Sequence, residues 1–181
     1  NTLKYLKVLI FHVLYGNVKK VISAKNNFNV KIINSTLGNN LSYKIFCIND
    51  GVLYNGSVND CAAITENKLI TEASYQFRFK NKNWIINGAS SENITLKIGT
   101  PSIRKKISGS VFSLLSGGAG KHNYFHWLFD VLPRLAILEN AKNVKKPDYY
   151  LVPSLKHPYQ QQTLKKLNIP FSKLLNGTTI K

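Results

Sequence analysis

His126, Asp130 and Arg134 stand four residues apart in an otherwise largely apolar stretch, KHNYFHWLFDVLPRLAILE (121–139). On a helix that spacing puts the three on one stripe, with Asn123 one turn earlier. An imidazole beside a carboxylate is a minimal unit of general base catalysis, in which one group takes a proton and the other orients it. A guanidinium one turn further on can hold the carboxylate or an anionic substrate group. The same spacing has a purely structural alternative, an intrahelical ion pair on a solvated face. Aromatic residues on both sides of the stripe favour a cleft wall, where pKa values can be tuned.

Gly117, Gly118 and Gly120 precede this stretch. They permit backbone conformations closed to other residues and let a ligand approach the main chain, and a turn of this kind at a helix N-terminus suits anions. A tight strand-to-helix turn explains them equally well. Neither phosphate-loop pattern holds: Lys121 is followed by His122, and the third glycine of the dinucleotide fingerprint is Asn123. Pro133 falls inside the helix, removes a backbone hydrogen bond to Phe129 and disfavours helical geometry at Leu132, so a kink beside Asp130 is expected. Phe125, Leu128, Phe129, Leu132, Leu135 and Ala136 are expected to form the buried stripe of a helix running to about Asn140.

The elements around this helix read as alternating strands and helices. SVFSLLS (110–116) and PDYYLVPS (147–154) are buried strands, HPYQQQTLKKLN (157–168) is a helix with Leu164 and Leu167 inward, and FSKLLN (171–176) is a third short strand. Strand–helix–strand–helix–strand implies right-handed crossovers and a parallel sheet, with ligands gathering at the carboxyl ends of the strands. Upstream the texture differs. YKIFCI and VLYNGSV flank Asn49-Asp50-Gly51, the signature of a β-hairpin, and CAAIT, KLITEASYQF and NWIIN continue the short strands to about residue 98. Glu66, Glu72 and Glu92 are isolated and read as solvated. The expected organisation is therefore α/β: residues 1–100 form an N-terminal helix and an antiparallel β-rich subdomain, and 101–181 a Rossmann-like parallel β/α unit.

Residues 3–15 carry Leu3, Leu6, Ile10, Phe11 and Leu14 at helical spacing, with Lys4 and Lys7 off that face. The default reading is a helix docked on its domain; the alternative is a basic amphipathic helix resting on a membrane surface. Broken by lysines and without a small-residue cleavage site, this stretch does not read as a signal peptide. No apolar run is long enough to span a bilayer. The expected compartment is the cytoplasm, with peripheral contact at the inner face of the membrane. The chain contains no Met and ends NGTTIK, so it reads as a piece of a longer protein.

The formal net charge of +17 invites a nucleic-acid reading. Only Arg78, Arg104 and Arg134 of the 25 basic residues are arginine, the lysines are scattered, and the Lys, Asn and Ile bias matches AT-rich codons. Nucleic acid is not the expected partner; anionic lipid heads or anionic glycans remain open. Cys47 and Cys61 are too few for a disulfide framework and lack metal-ligand spacing, so buried free thiols and no metal site are expected. The four N-x-S/T sequons, at Asn34, Asn55, Asn93 and Asn176, match the roughly three expected by chance from this composition and carry no message.

GGAGKHNYFHWLFDVLPRLAIL (117–138) resembles the motif Gly-Gly…Asn-Tyr-(Tyr/Phe)-His-Trp-Leu-x-Asp-x-Leu-Pro-Arg-Leu of glycosyltransferase family 61. PDYYLVPS…QQQTLKKLNIPFSKLL (147–175) is similar to that family's next strand–helix–strand, and DGVLYNGSVNDCAAITENKLITEAS (50–74) resembles its upstream β region less specifically. The resemblance implies the first half of a GT-B fold and inverting transfer from a nucleotide sugar, usually UDP-linked, to a glycan or other hydroxyl acceptor, with no obligatory metal or cofactor. Bacterial members build capsule and lipopolysaccharide. The family's later Arg-rich and Gly-Ala-Gly-Leu-x-Asn donor-binding motifs do not occur in these 181 residues, so this piece is expected to be inactive in isolation. His126 or Asp130 is then the acceptor-side base or its orienting partner, Arg134 holds Asp130 or an anionic substrate group, Asn123 and Tyr124 shape the acceptor pocket, and Gly118 supports the substrate. A non-catalytic glycan- or nucleotide-binding domain is the alternative.

Overall fold

A computed structural model of the chain describes residues 2–38, 41–57, 60–80, 83–86, 92–115 and 121–177. In order these form α1 (Thr2–Tyr15), β1 (Lys20–Ile22), β2 (Val30–Leu37), β3 (Leu41–Ile48), β4 (Val52–Ser57), β5 (Asp60–Thr65), β6 (Lys68–Ile70), β7 (Tyr75–Lys80), β8 (Asn83–Ile86), α2 (Ile94–Ile98) and β9 (Val111–Ser113). There follow α3 (Tyr124–His126), a π-helical turn (Trp127–Val131), α4 (Pro133–Glu139), β10 (Tyr149–Val152), α5 (Pro158–Lys166) and β11 (Leu174–Asn176). The chain divides into two compact units, residues 1–32 with 46–104, and residues 33–45 with 105–181. The last boundary falls between 104 and 105, and 33–45 belong with the second unit. Among the described residues no helix is long and apolar enough to cross a membrane.

In the first unit a mixed sheet runs in the order β1-β6-β5-β7-β8, with β4 also on β5. β5 and β6 join through Glu66 and Asn67, both at positive φ (49° and 57°), and pair Ile64 with Leu69 and Thr65 with Lys68. This is the two-residue turn whose twist matches its strands. Leu69 and Ile70 point to opposite faces of β6 and both are fully buried. Leu69 packs with Val18, Ala62 and Ile64; Ile70 packs with Ala24 and Val30. Two small cores on either side of one strand therefore hold this unit together.

Three sequence expectations change here. The Asn49-Asp50-Gly51 turn exists, with Asp50 at φ 47°, but it makes no hairpin: β3 pairs with β2 and β4 pairs with β5. A turn signal fixes a change of direction, not the strand that receives the edge. Glu72 is not merely solvated. Its carboxylate accepts from the Ser23 hydroxyl at 2.5 Å and the Ala24 backbone N–H at 2.8 Å, closing the loop between β1 and β2. Finally, α1 is not docked along its apolar face, since none of its residues is fully buried.

The second unit carries the parallel sheet β11-β10-β9, with Tyr150 opposite both Phe112 and Leu174. β10 is the central strand, so YYLV must be apolar on both faces and is. The covering helices share one core: Trp127 and Val131 from the π turn and Leu164 from α5 meet Leu114, Tyr150 and Val152, all essentially buried. Leu167, expected inward beside Leu164, is half exposed because α5 ends at Lys166 and the chain turns away at the αL residue Asn168. The loop before β9 is closed by Asp148, whose carboxylate accepts from the backbone N–H and hydroxyl of Ser110 at 2.7 and 2.8 Å. Gly109 sits at φ 116° against this carboxylate, and a Cβ there would lie 2.9 Å from Asp148 Oδ2.

Candidate functional site

Asn123 starts the helical run. Its side-chain oxygen accepts from the Phe125 N–H at 3.0 Å and its carbonyl accepts from the Trp127 N–H at 3.0 Å, so it is the N-cap of α3. The expected single helix is then interrupted. Leu132 N–H reaches back five residues to the Trp127 carbonyl (3.0 Å), making one π turn, and Pro133 opens α4 as its first residue. A π turn inserts a residue relative to the 3.6 period and is a frequent device at functional sites. It also answers the proline, whose missing N–H is harmless at a first helical position.

The buried face of the run is not the expected stripe. Trp127 and Val131 are fully buried, whereas Phe125 and Phe129, expected in the buried stripe, are 60% and 62% exposed. The two phenyl rings lie 4.7 Å apart on the outer surface, and Phe125 meets His126 edge-on at 5.7 Å. Trp127 is locked from the other side, its indole N–H donating to Thr163 Oγ1 of α5 at 2.9 Å. That bond fixes the rotation of the helical run, and with it the direction of His126 and Asp130.

His126 Nδ1 and Asp130 Oδ2 lie 2.6 Å apart, and both side chains are 44% exposed. With Nδ1 carrying the proton donated to the carboxylate, Nε2 is left with a lone pair, the tautomer a general base requires. Arg134 lies one turn beyond Asp130. Its Nε donates to the backbone carbonyl of Asp130 (3.0 Å) and its Nη1 to the carbonyl of Leu115 beyond β9 (2.8 Å). It ties the helix to the carboxyl end of the sheet and so holds Asp130 by its main chain.

Tyr124 is half exposed and meets the Tyr159 ring edge-on at 4.9 Å. Tyr159 leads to a pair that the spacing did not disclose: His157 stacks on it at 5.3 Å, and His157 Nε2 lies 3.2 Å from His122 Nδ1. His122 follows β9 and His157 follows β10, so both stand at the strands' carboxyl end. Loss of hydration, then the electrostatic influence of Lys121, His157 and Lys156, pushes the His122 pKa below its ordinary value. The buried Gln160 braces this corner, accepting from the His157 N–H at 3.0 Å and donating to the Lys121 carbonyl at 3.3 Å. The Tyr159 hydroxyl is buried and has no hydrogen-bond partner among the described residues. The only signals available in sequence were two histidines just after two buried strands.

Of the six expected site residues, Asn123, Tyr124, His126, Asp130 and Arg134 fall on one helical run, while Gly118 lies outside the described residues together with Gly117 and Gly120. Among the described residues no group of three His, Cys, Asp or Glu side chains is placed to hold a metal ion. A cavity of about 620 Å³ lined by Gln161, Lys165, Ile169 and Phe171 contains none of the expected residues. Comparison with family models, with curated proteins and with solved structures finds no match.

Proposed function

We propose that the chain is the acceptor-side part of an inverting glycosyltransferase, with His126 as the base and Asp130 as its orienting partner. One observation carries this reading: a His–Asp pair at 2.6 Å, half exposed, stands beside the exposed ring of Phe125, itself 4.7 Å from the exposed ring of Phe129. Aromatic faces offer apolar contact to the C–H faces of a sugar ring, and the free Nε2 beside them can take a proton from a sugar hydroxyl. In the proposed step that proton passes to His126 Nε2 as the hydroxyl oxygen attacks the anomeric carbon. The bond from that carbon to the diphosphate oxygen breaks, and its electron pair leaves with the nucleoside diphosphate. Asp130 stabilises the imidazolium that forms without itself taking the proton. Asn123 and Arg134 act through the backbone, the first by starting the helix and the second by holding the Asp130 carbonyl. The resemblance assigns the donor, a nucleotide sugar, UDP-linked in most members, to a second Rossmann-like domain, and places the product in a surface polysaccharide such as capsule or lipopolysaccharide.

The exposed aromatic rings also favour a second reading, a glycan-binding surface without turnover. Transfer or donor hydrolysis by the natural full-length protein separates the two. The proposal expects His126→Ala to lower turnover by about 10²–10⁴-fold, the usual contribution of a positioned base, with the fold retained. Glycan binding in the absence of any turnover would establish the second reading instead.

A further inference from the structure

We infer that α1 lies flat on the surface of an anionic lipid bilayer, with its outer face inserted among the acyl chains. Only one side of the helix meets its own unit. Val8, Phe11, His12 and Tyr15 recur at i, i+3, i+4 and i+7 and are half-buried. Its end is pinned: the Arg104 backbone N–H donates to the Tyr15 hydroxyl at 3.1 Å, the Arg104 guanidinium stands 4.3 Å over the Tyr15 ring, and Gly16 at φ 73° closes the helix onto the His12 carbonyl. The opposite side carries Leu3, Leu6, Leu9, Ile10, Val13 and Leu14, between 49% and 87% exposed. Six large aliphatic side chains on one short helix are not the scattered exposure expected of an ordinary surface.

Charge selects the occupant. α1 holds Lys4 and Lys7 and no acidic residue, and the first 49 residues contain seven lysines before the first carboxylate, Asp50. A second copy of a chain with formal charge +17 would be repelled at this face, whereas anionic lipid headgroups attract it, each lysine near the surface strengthening binding. Fourteen residues make a helix of about 21 Å, too short for the hydrocarbon core but long enough to lie along its boundary. The inference stands apart from the proposed transferase chemistry and is read without any turnover.

The test is co-sedimentation of the 181-residue chain with phosphatidylcholine vesicles, with and without about a third phosphatidylserine. Binding is expected to the mixed vesicles, to weaken steeply with added salt, and to fall by about tenfold or more in the double variant Leu6→Asp, Ile10→Asp. Both positions are exposed, so the variant should keep the parent's circular dichroism and melting temperature. The double variant Lys4→Glu, Lys7→Glu should weaken binding to the mixed vesicles by a comparable factor. No binding to mixed vesicles, or equal binding by Leu6→Asp, Ile10→Asp, overturns the inference. So does a dimer of the parent chain that this variant dissolves, because a second copy would then be the occupant.

Discussion

Replacing Pro133 by alanine tests the central structural reading of the helical run. In an uninterrupted helix an interior proline costs about 3 kcal/mol relative to alanine, so removing it would stabilise the protein by that amount. The observed backbone leaves little of that strain. Leu132 N–H is satisfied by the Trp127 carbonyl five residues back, Leu135 N–H by the Leu132 carbonyl, and the Asp130 carbonyl receives the Arg134 side chain. Pro133 itself is the first residue of α4, where its absent N–H and fixed φ are suited to the position. What remains is the unfolded chain, which proline stiffens by an amount worth about 0.4–1 kcal/mol. Pro133→Ala is therefore expected to leave stability unchanged or lower it by up to about 1 kcal/mol, the sign opposite to that for a strained helix. Urea unfolding followed by tryptophan fluorescence reads this directly. The chain has two tryptophans, so a Trp84→Phe background leaves Trp127, at the centre of the second unit's core, as the reporter. Stabilisation approaching 3 kcal/mol would refute the reasoning, since it would mean that the proline forces the π turn on a helix that otherwise relaxes to regular geometry.

Thr163→Val should cost about 1–3 kcal/mol, because it strands the buried Trp127 indole N–H, whereas Thr163→Ser, which keeps the acceptor, should cost clearly less; equal losses in urea melts would show that the hydrogen bond is not what matters there. The Ser110 backbone N–H, followed by its hydroxyl, holds the Asp148 carboxyl below its ordinary range. Glu72 is lowered as well: burial alone would raise it, but the Ser23 hydroxyl and Ala24 N–H prevail. A carboxyl depressed in the folded state adds stability above its unfolded pKa of about 4 and loses it as pH falls through the folded value. Acid unfolding of Asp148→Asn and Glu72→Gln should accordingly show a shallower loss of stability below about pH 4 than the parent chain, and curves of unchanged slope would contradict the assignment.

The βαβαβ order of the second unit was legible because each strand is a short apolar run bounded by Gly or Pro, and such runs leave few alternatives. β10 and Leu164 fell where periodicity put them. The inner face of the helical run was not legible. The apolar residues fit two overlapping stripes of period 3.6, one through Phe125 and Phe129 and one through Trp127, Val131 and Leu135, and packing against Val152 and Leu164 selects the second; nothing local to the sequence announces the five-residue hydrogen bond except a proline whose cost had to be met somehow. The His126–Asp130 pair was legible because both partners lie on one turn. His122 and His157 were not, being 35 residues apart and joined only by the sheet. Arg134 shows the same limit: spacing places a guanidinium near a carboxylate, but the two carbonyls it serves, at Asp130 and Leu115, depend on where β9 ends. In the first unit the Asn49-Asp50-Gly51 turn was visible and its strand pairing was not, because pairing is decided by which edges are free in three dimensions.

The most direct test of the proposed function is sugar transfer by the natural full-length protein carrying Asp130→Asn, set beside His126→Ala. If Asp130 orients the imidazole through the 2.6 Å contact, the asparagine variant keeps its fold and its affinity for the acceptor, and loses turnover by about 10²-fold or more as the favoured tautomer is lost. Turnover equal to the parent protein in both variants would contradict the account.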